Sequence, residues 1–219
     1  LRKANLLLFI GNLSNLLSTC HHAGQYDRMP ILLKRLRSIK TRSWAEEGAR
    51  LQNLLFFESL YMIARADFSG IHDHARSVKA LYRDYPQKTP VARRSALSYN
   101  LMMGFFLTEQ PSEALRWSEE ILSEHKGEQR IDIQLAARFF QLLIHFDREE
   151  LSLVESQCRS LHRSRSQRKL VLPYETAVIQ GMQAWIKGAE KSSAIQIVFE
   201  GLKGIEGSSG SIGEAECRI

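Results

Sequence analysis

Apolar residues recurring at steps of three and four constrain this chain more than any other feature. Leu151, Val154, Cys158 and Leu161 are spaced three, four and three apart, which lines one face of a helix of 3.6 residues per turn. Ile131, Leu135, Phe139, Leu142 and Phe146 form a second stripe directly upstream. The two stripes meet around residues 145–147, so the chain must double back there as a helical hairpin. Asp147, with Glu150 three residues on, predicts a capping box at the start of the second helix.

The same unit recurs in both directions. Leu97, Leu101 and Phe105 line one helix, started by Thr89-Pro90. Ala114, Leu115, Ile121 and Leu122 line the next, with Pro111 in its first turn and Gly127 after its end. Ser43 and Glu46 predict a cap for a helix through about Ala66. A turn at Ser69-Gly70 leads into a helix that Tyr85-Pro86 must stop, because proline lacks the donor to continue it. The first hairpin turns at Ala23-Gly24, with Tyr26 opening its second helix. The last pairs a helix from Pro173 with one from Ser192. No stretch shows the period-two alternation of a half-buried strand. The 219 residues hold only five prolines, so little interrupts helices. The predicted fold is all-α, with about ten helices in about five antiparallel hairpins, repeating roughly every 40 residues as a solenoid. Residues 1–204 form the helical-repeat domain and 205–219 a glycine- and serine-rich tail.

Asn100-Leu101 followed by Phe105, Ala114-Leu115 and Ile121-Leu122, and Asn15-Leu16 followed by Gly24 and Tyr26, stand at spacings that resemble the tetratricopeptide-repeat family. The resemblance covers the first and third hairpins. It implies a right-handed superhelical stack whose concave face, lined by the first helix of each hairpin, holds a peptide or a partner helix. It also implies that Asn15 and Asn100 hydrogen-bond the backbone of that peptide. Both also suit the plainer role of an interhelical hydrogen bond or simple exposure.

Sites for chemistry are sparse. No phosphate-binding glycine loop, GxSxG or HExxH occurs, so neither catalysis nor a cofactor is expected. His72-Asp73-His74 is the best metal candidate, with Cys20-His21-His22 behind it, but residues one or two apart diverge around a helix, and no metal site is expected. The carboxylates of Glu109, Glu113, Glu119, Glu120 and Glu124 read as a solvated face. Arg159, Arg163, Arg165, Arg168 and Lys169 form the densest basic stretch, with no acid from Arg159 to Lys169. They are expected to span a helix end and a serine-rich linker holding Ser160, Ser164 and Ser166. Arginine grips phosphate and carboxylate in a bidentate fashion, so this stretch is the expected docking site for an anionic partner.

The formal charge of +6 points the same way, towards acidic partners in general. Cys20, Cys158 and Cys217 form no CxxC pair, which suits a reducing, cytoplasmic setting. Arg2-Lys3 followed by Leu6 to Ile10 mimics a signal peptide, but Asn5, Asn12, Ser14 and Asn15 interrupt the apolar run and favour a packed helix. No run approaches a membrane span. With Leu1 in first place, the chain is expected to be part of a longer protein. The expected function is a non-catalytic scaffold for a protein or peptide. The alternatives are a regulatory or sensor domain attached to a catalytic or DNA-binding domain, or a basic helical repeat that binds nucleic acid.

Overall fold

The computed structural model describes residues 6–124, 130–167 and 173–208. Among them every regular element is a helix. In order these are α1 (Leu6–His22), α2 (Met29–Arg37), α3 (Trp44–Arg65), α4 (Ile71–Asp84), α5 (Val91–Leu107), α6 (Pro111–Glu124), α7 (Ile131–Asp147), α8 (Leu151–Gln167), α9 (Pro173–Ile186) and α10 (Lys191–Ser208), with short 3-10 turns at Tyr26–Arg28 and Pro86–Lys88. None of the described helices is long and apolar enough to cross a membrane.

Several helix ends follow from local sequence. Gly24 takes a φ of +66°, and the Gln25 N–H donates to the Cys20 carbonyl at 2.8 Å, so the first turn closes on the residue least penalised in the left-handed region. Ser43 Oγ accepts the Glu46 N–H at 3.2 Å and starts α3. That helix ends at Ala66 with a φ of 50°, a conformation that costs an alanine about 1–2 kcal/mol.

Three expectations need correction. Asp147 does not cap α8: it is the last residue of α7, and Glu149 makes the turn at a φ of 60°. The Glu150 carboxylate is drawn to His145 Nδ1 at 2.5 Å, across the reversal. The serines expected in a linker lie in a helix instead, because α8 continues through Ser160, Ser164 and Ser166 to Gln167. The terminal helix likewise extends past residue 204, to Ser208. The expected helix end at Gly127 lies outside the described residues.

The chain divides into two compact units between Ala137 and Arg138, within α7. In the first unit α1 packs on α2 and α3, α3 on α4 and α5, and α5 on α6. Ile10, Leu13 and Leu17 of α1 meet Met29, Leu33 and Leu36 of α2 and Leu54 and Phe57 of α3 in one apolar cluster. Leu97, Leu101 and Phe105 of α5 are buried, as are Ala114, Trp117 and Ile121 of α6. The α5 stripe therefore faces inward as the spacing predicts, whereas in α6 Trp117 joins Ala114 and Ile121 in the core and the expected Leu115 and Leu122 are only half-buried.

In the second unit Phe139, Leu142 and Phe146 of α7 join Val154, Cys158 and Leu161 of α8 and Val178, Ile179 and Met182 of α9. The α9–α10 crossing is close because small residues face each other. A Cβ on Gly181 would stand 2.4 Å from Val198 Cγ2 and 2.6 Å from the Ala194 carbonyl oxygen, and one on Gly201 would stand 2.6 Å from Ala177 Cβ. Gly181→Ala is therefore expected to cost about 1–3 kcal/mol, overpacking outweighing the better helix former. Gly11→Ala in α1, where a Cβ meets nothing within 4 Å, is expected to gain up to about 1 kcal/mol. Urea denaturation of both variants checks this; equal gains would mean that α9 and α10 do not approach so closely.

Candidate functional site

Among the described residues, each unit holds an open cavity lined in part by polar and charged side chains. The larger, of about 830 Å³, lies among α2, α3 and α4. Leu33, Leu55 and Met62 give it apolar walls, and Lys34, Arg37, Glu58, Asp73 and His74 bring charge and polarity to it. The volume is in the range of sites that hold small ligands or several side chains of a peptide.

Glu58 sits centrally. Burial pushes its carboxyl above the usual range, against the opposing pull of its hydrogen bond to Arg37. His74 of α4 is buried, and burial depresses its pKa to about 4, with a hydrogen bond to the Leu55 carbonyl opposing only in part. Its Nδ1 stands 3.7 Å from Glu58 Oε2, too far for a hydrogen bond, so near neutral pH an uncharged imidazole faces the carboxyl group. Ser38 Oγ donates to the Arg35 carbonyl and Ser77 Oγ to the Asp73 carbonyl. Neither hydroxyl is thus held by a base as an activated nucleophile would be.

The two histidines of the His72-Asp73-His74 run part company. His72 stacks edge-on to Phe105 at 5.2 Å while His74 turns into the α3 side, and Asp73 pairs with Arg76. In the Cys20-His21-His22 run the cysteine is buried, and His22 Nδ1 lies 2.7 Å from the Ser18 carbonyl oxygen. Among the described residues no group of three or more histidine, cysteine or acidic side chains is placed to hold a metal ion.

The smaller cavity, about 430 Å³, lies between α8 and α9. Arg159 and Arg163, four apart on α8, share its rim with His162, and Lys187 reaches it from just beyond the end of α9. Residues three and four apart lie on one helix face, which is why this trio converges. Lys187 follows the last turn of α9, where exposed carbonyls favour a cation. Glu155 accepts from Arg159 at 2.8 Å. Cys158 lies buried beneath, its thiol pushed up to about 11 by burial.

Of the expected anion-docking residues, the structure thus brings Arg159 and Arg163 together. Arg165 lies on α8, its side chain outside the described set, and Arg168 and Lys169 lie outside the described residues altogether. Lys187 was missed because nothing local links it to α8. His162 could have been found, standing three residues after Arg159 within a predicted helix.

Asn15 and Asn100 do not share an environment. Asn15 is exposed on α1. Asn100 is buried on α5, its Nδ2 donating to Ser59 Oγ of α3 at 3.0 Å. Its amide therefore serves the α3–α5 packing, and no equivalence between the two positions survives in their contacts.

Comparison of the chain with family models, with curated proteins and with solved structures finds no match.

Proposed function

We propose that the chain is a non-catalytic interaction module, a solenoid of helical hairpins akin to tetratricopeptide repeats, that holds a segment of a partner polypeptide. The observation that carries this reading is the α2–α3–α4 cavity. It is open, apolar at its walls, and its central carboxylate is already engaged by Arg37. Such a surface offers shape and a few hydrogen bonds, as a peptide groove does, without a poised nucleophile. Succession supports the solenoid: α1 packs on α3 and α3 on α5, while each also packs on the helix that follows it. In that arrangement each hairpin hides its apolar face against its neighbours.

Selection from a random peptide display library tests the reading. The intact chain is expected to retain a recurring peptide pattern, and Ser77→Trp, which fills the cavity from the exposed side of α4, is expected to abolish its binding. Peptides that bind Ser77→Trp unchanged would place the groove elsewhere. Turnover of a substrate dependent on Glu58 and His74 would replace a scaffold with an enzyme.

A further inference from the structure

We infer that the α2–α3–α4 cavity recognises its partner segment through a side-chain carboxamide, an asparagine or glutamine held between Glu58 Oε2 and His74 Nδ1. The inference rests on the interaction-module reading and names what the groove selects.

The two atoms form an unfinished pair. Glu58 gives Oε1 to Arg37, while its Oε2 and His74 Nδ1 stand 3.7 Å apart in the same cavity and do not bond each other. Both side chains are shielded, His74 at 7% exposure and Glu58 at 17%. Leu33, Leu55 and Met62 wall the space beside them. Polar groups so placed favour a guest that completes their hydrogen bonds.

The separation fits a planar fork. The nitrogen and oxygen of a carboxamide lie about 2.3 Å apart. Bonds of about 2.9 Å from each reach two atoms 3.7 Å apart when each leans outward by about 15°. The amide N–H then donates to Glu58 Oε2, and the amide oxygen accepts from the imidazole N–H. A ring with its proton on the other nitrogen can take the second amide hydrogen instead, so the group answers either tautomer. The imidazole is uncharged near neutral pH, since burial holds its pKa at about 4. A hydroxyl has one oxygen to offer, and its two bonds would have to meet at about 80°.

Charge disfavours the competitors. The two carboxylates lining the cavity already hold cations, Glu58 taking Arg37 and Asp73 taking Arg76. An ammonium or guanidinium guest therefore finds no carboxylate without one. A carboxylate guest would set a like charge directly against Glu58.

The test is retention by the full chain of degenerate peptide libraries that differ only in a fixed central residue: glutamine, asparagine, glutamate, lysine or leucine. The better of the two carboxamide libraries is expected to exceed the glutamate, lysine and leucine libraries by about tenfold. Glu58→Gln removes the like charge and supplies a donor, so the preference for carboxamide over glutamate is expected to shrink to about twofold or less. Thermal melts check that the variant folds. Should it not, His74→Leu keeps the carboxylate and is expected to lower retention of the carboxamide library to that of the leucine library.

Equal retention of the carboxamide and glutamate libraries by the wild-type chain overturns the inference. So does a preference for lysine over both, and so does a carboxamide preference that survives both variants. Ser77→Trp separates this failure from failure of the scaffold reading. If that variant abolishes peptide binding whatever the central residue, the groove stands and only its choice of a carboxamide falls. If no library is retained by the wild-type chain, both readings fall together.

Discussion

Phe139→Ala is expected to cost the second unit about 3–5 kcal/mol, the range for removing a large aromatic from a well-packed core. Phe139 is 5% exposed and meets Tyr174 edge-to-face, with ring centroids 5.3 Å apart. It belongs to the cluster that joins α7, α8 and α9. Truncation therefore removes an aromatic pair and leaves a void that neighbours from three helices cannot all move to fill. Hydrogen exchange of the α8 and α9 amides reads the loss within this unit, where a whole-chain melt would blend two units. A loss below about 1 kcal/mol would mean that the α7 stripe does not anchor the cluster.

Acid should weaken the first unit through His74. Its folded pKa of about 4 lies below the ordinary 6.5, so the unfolded chain takes up the proton first. The stabilisation is fully present above pH 6.5 and is lost as pH falls through 6.5 towards 4, amounting to about 3 kcal/mol. Glu58 works in the opposite sense. Its carboxyl is raised by burial, so the folded state binds that proton more tightly, and falling pH favours folding at this group. Comparing urea midpoints of the wild type and His74→Gln from pH 7 to pH 4 isolates the histidine, because Glu58 is common to both. The wild type is expected to lose more stability on acidification. Equal losses would assign the titration to other groups.

These two expectations differ in how far the sequence foretold them. Phe139 sits in a stripe with Leu135 and Leu142, and a helix of fixed pitch must carry such residues on one face. The same local rule located Ser43 as a cap, Gly24 at a turn and Pro111 in a first turn. It failed at Asp147, where the pattern of a capping box was present but the chain turned at Glu149 and Glu150 instead, with His145 taking the carboxylate. A short polar motif marks a helix start only if the backbone reverses ahead of it, and the packing of α7 on the core decides where that happens.

His74 shows the other side. The sequence sets it two residues from His72, and helix geometry alone requires the pair to diverge. Which ring is buried, and against what, depends on α3 lying over one face of α4 and α5 over the other. Asn15 and Asn100 look alike in the chain, yet Ser59, 41 residues before Asn100, claims the second amide alone. Lys187 joins Arg159 and Arg163 only because α9 returns alongside α8. The sequence by itself determined the helices and most of their inward faces, since both follow from spacing within a few turns, although Leu151 at the start of its stripe is exposed. The tertiary structure decided which polar groups meet, because those contacts join residues far apart in the chain and no local periodicity records them.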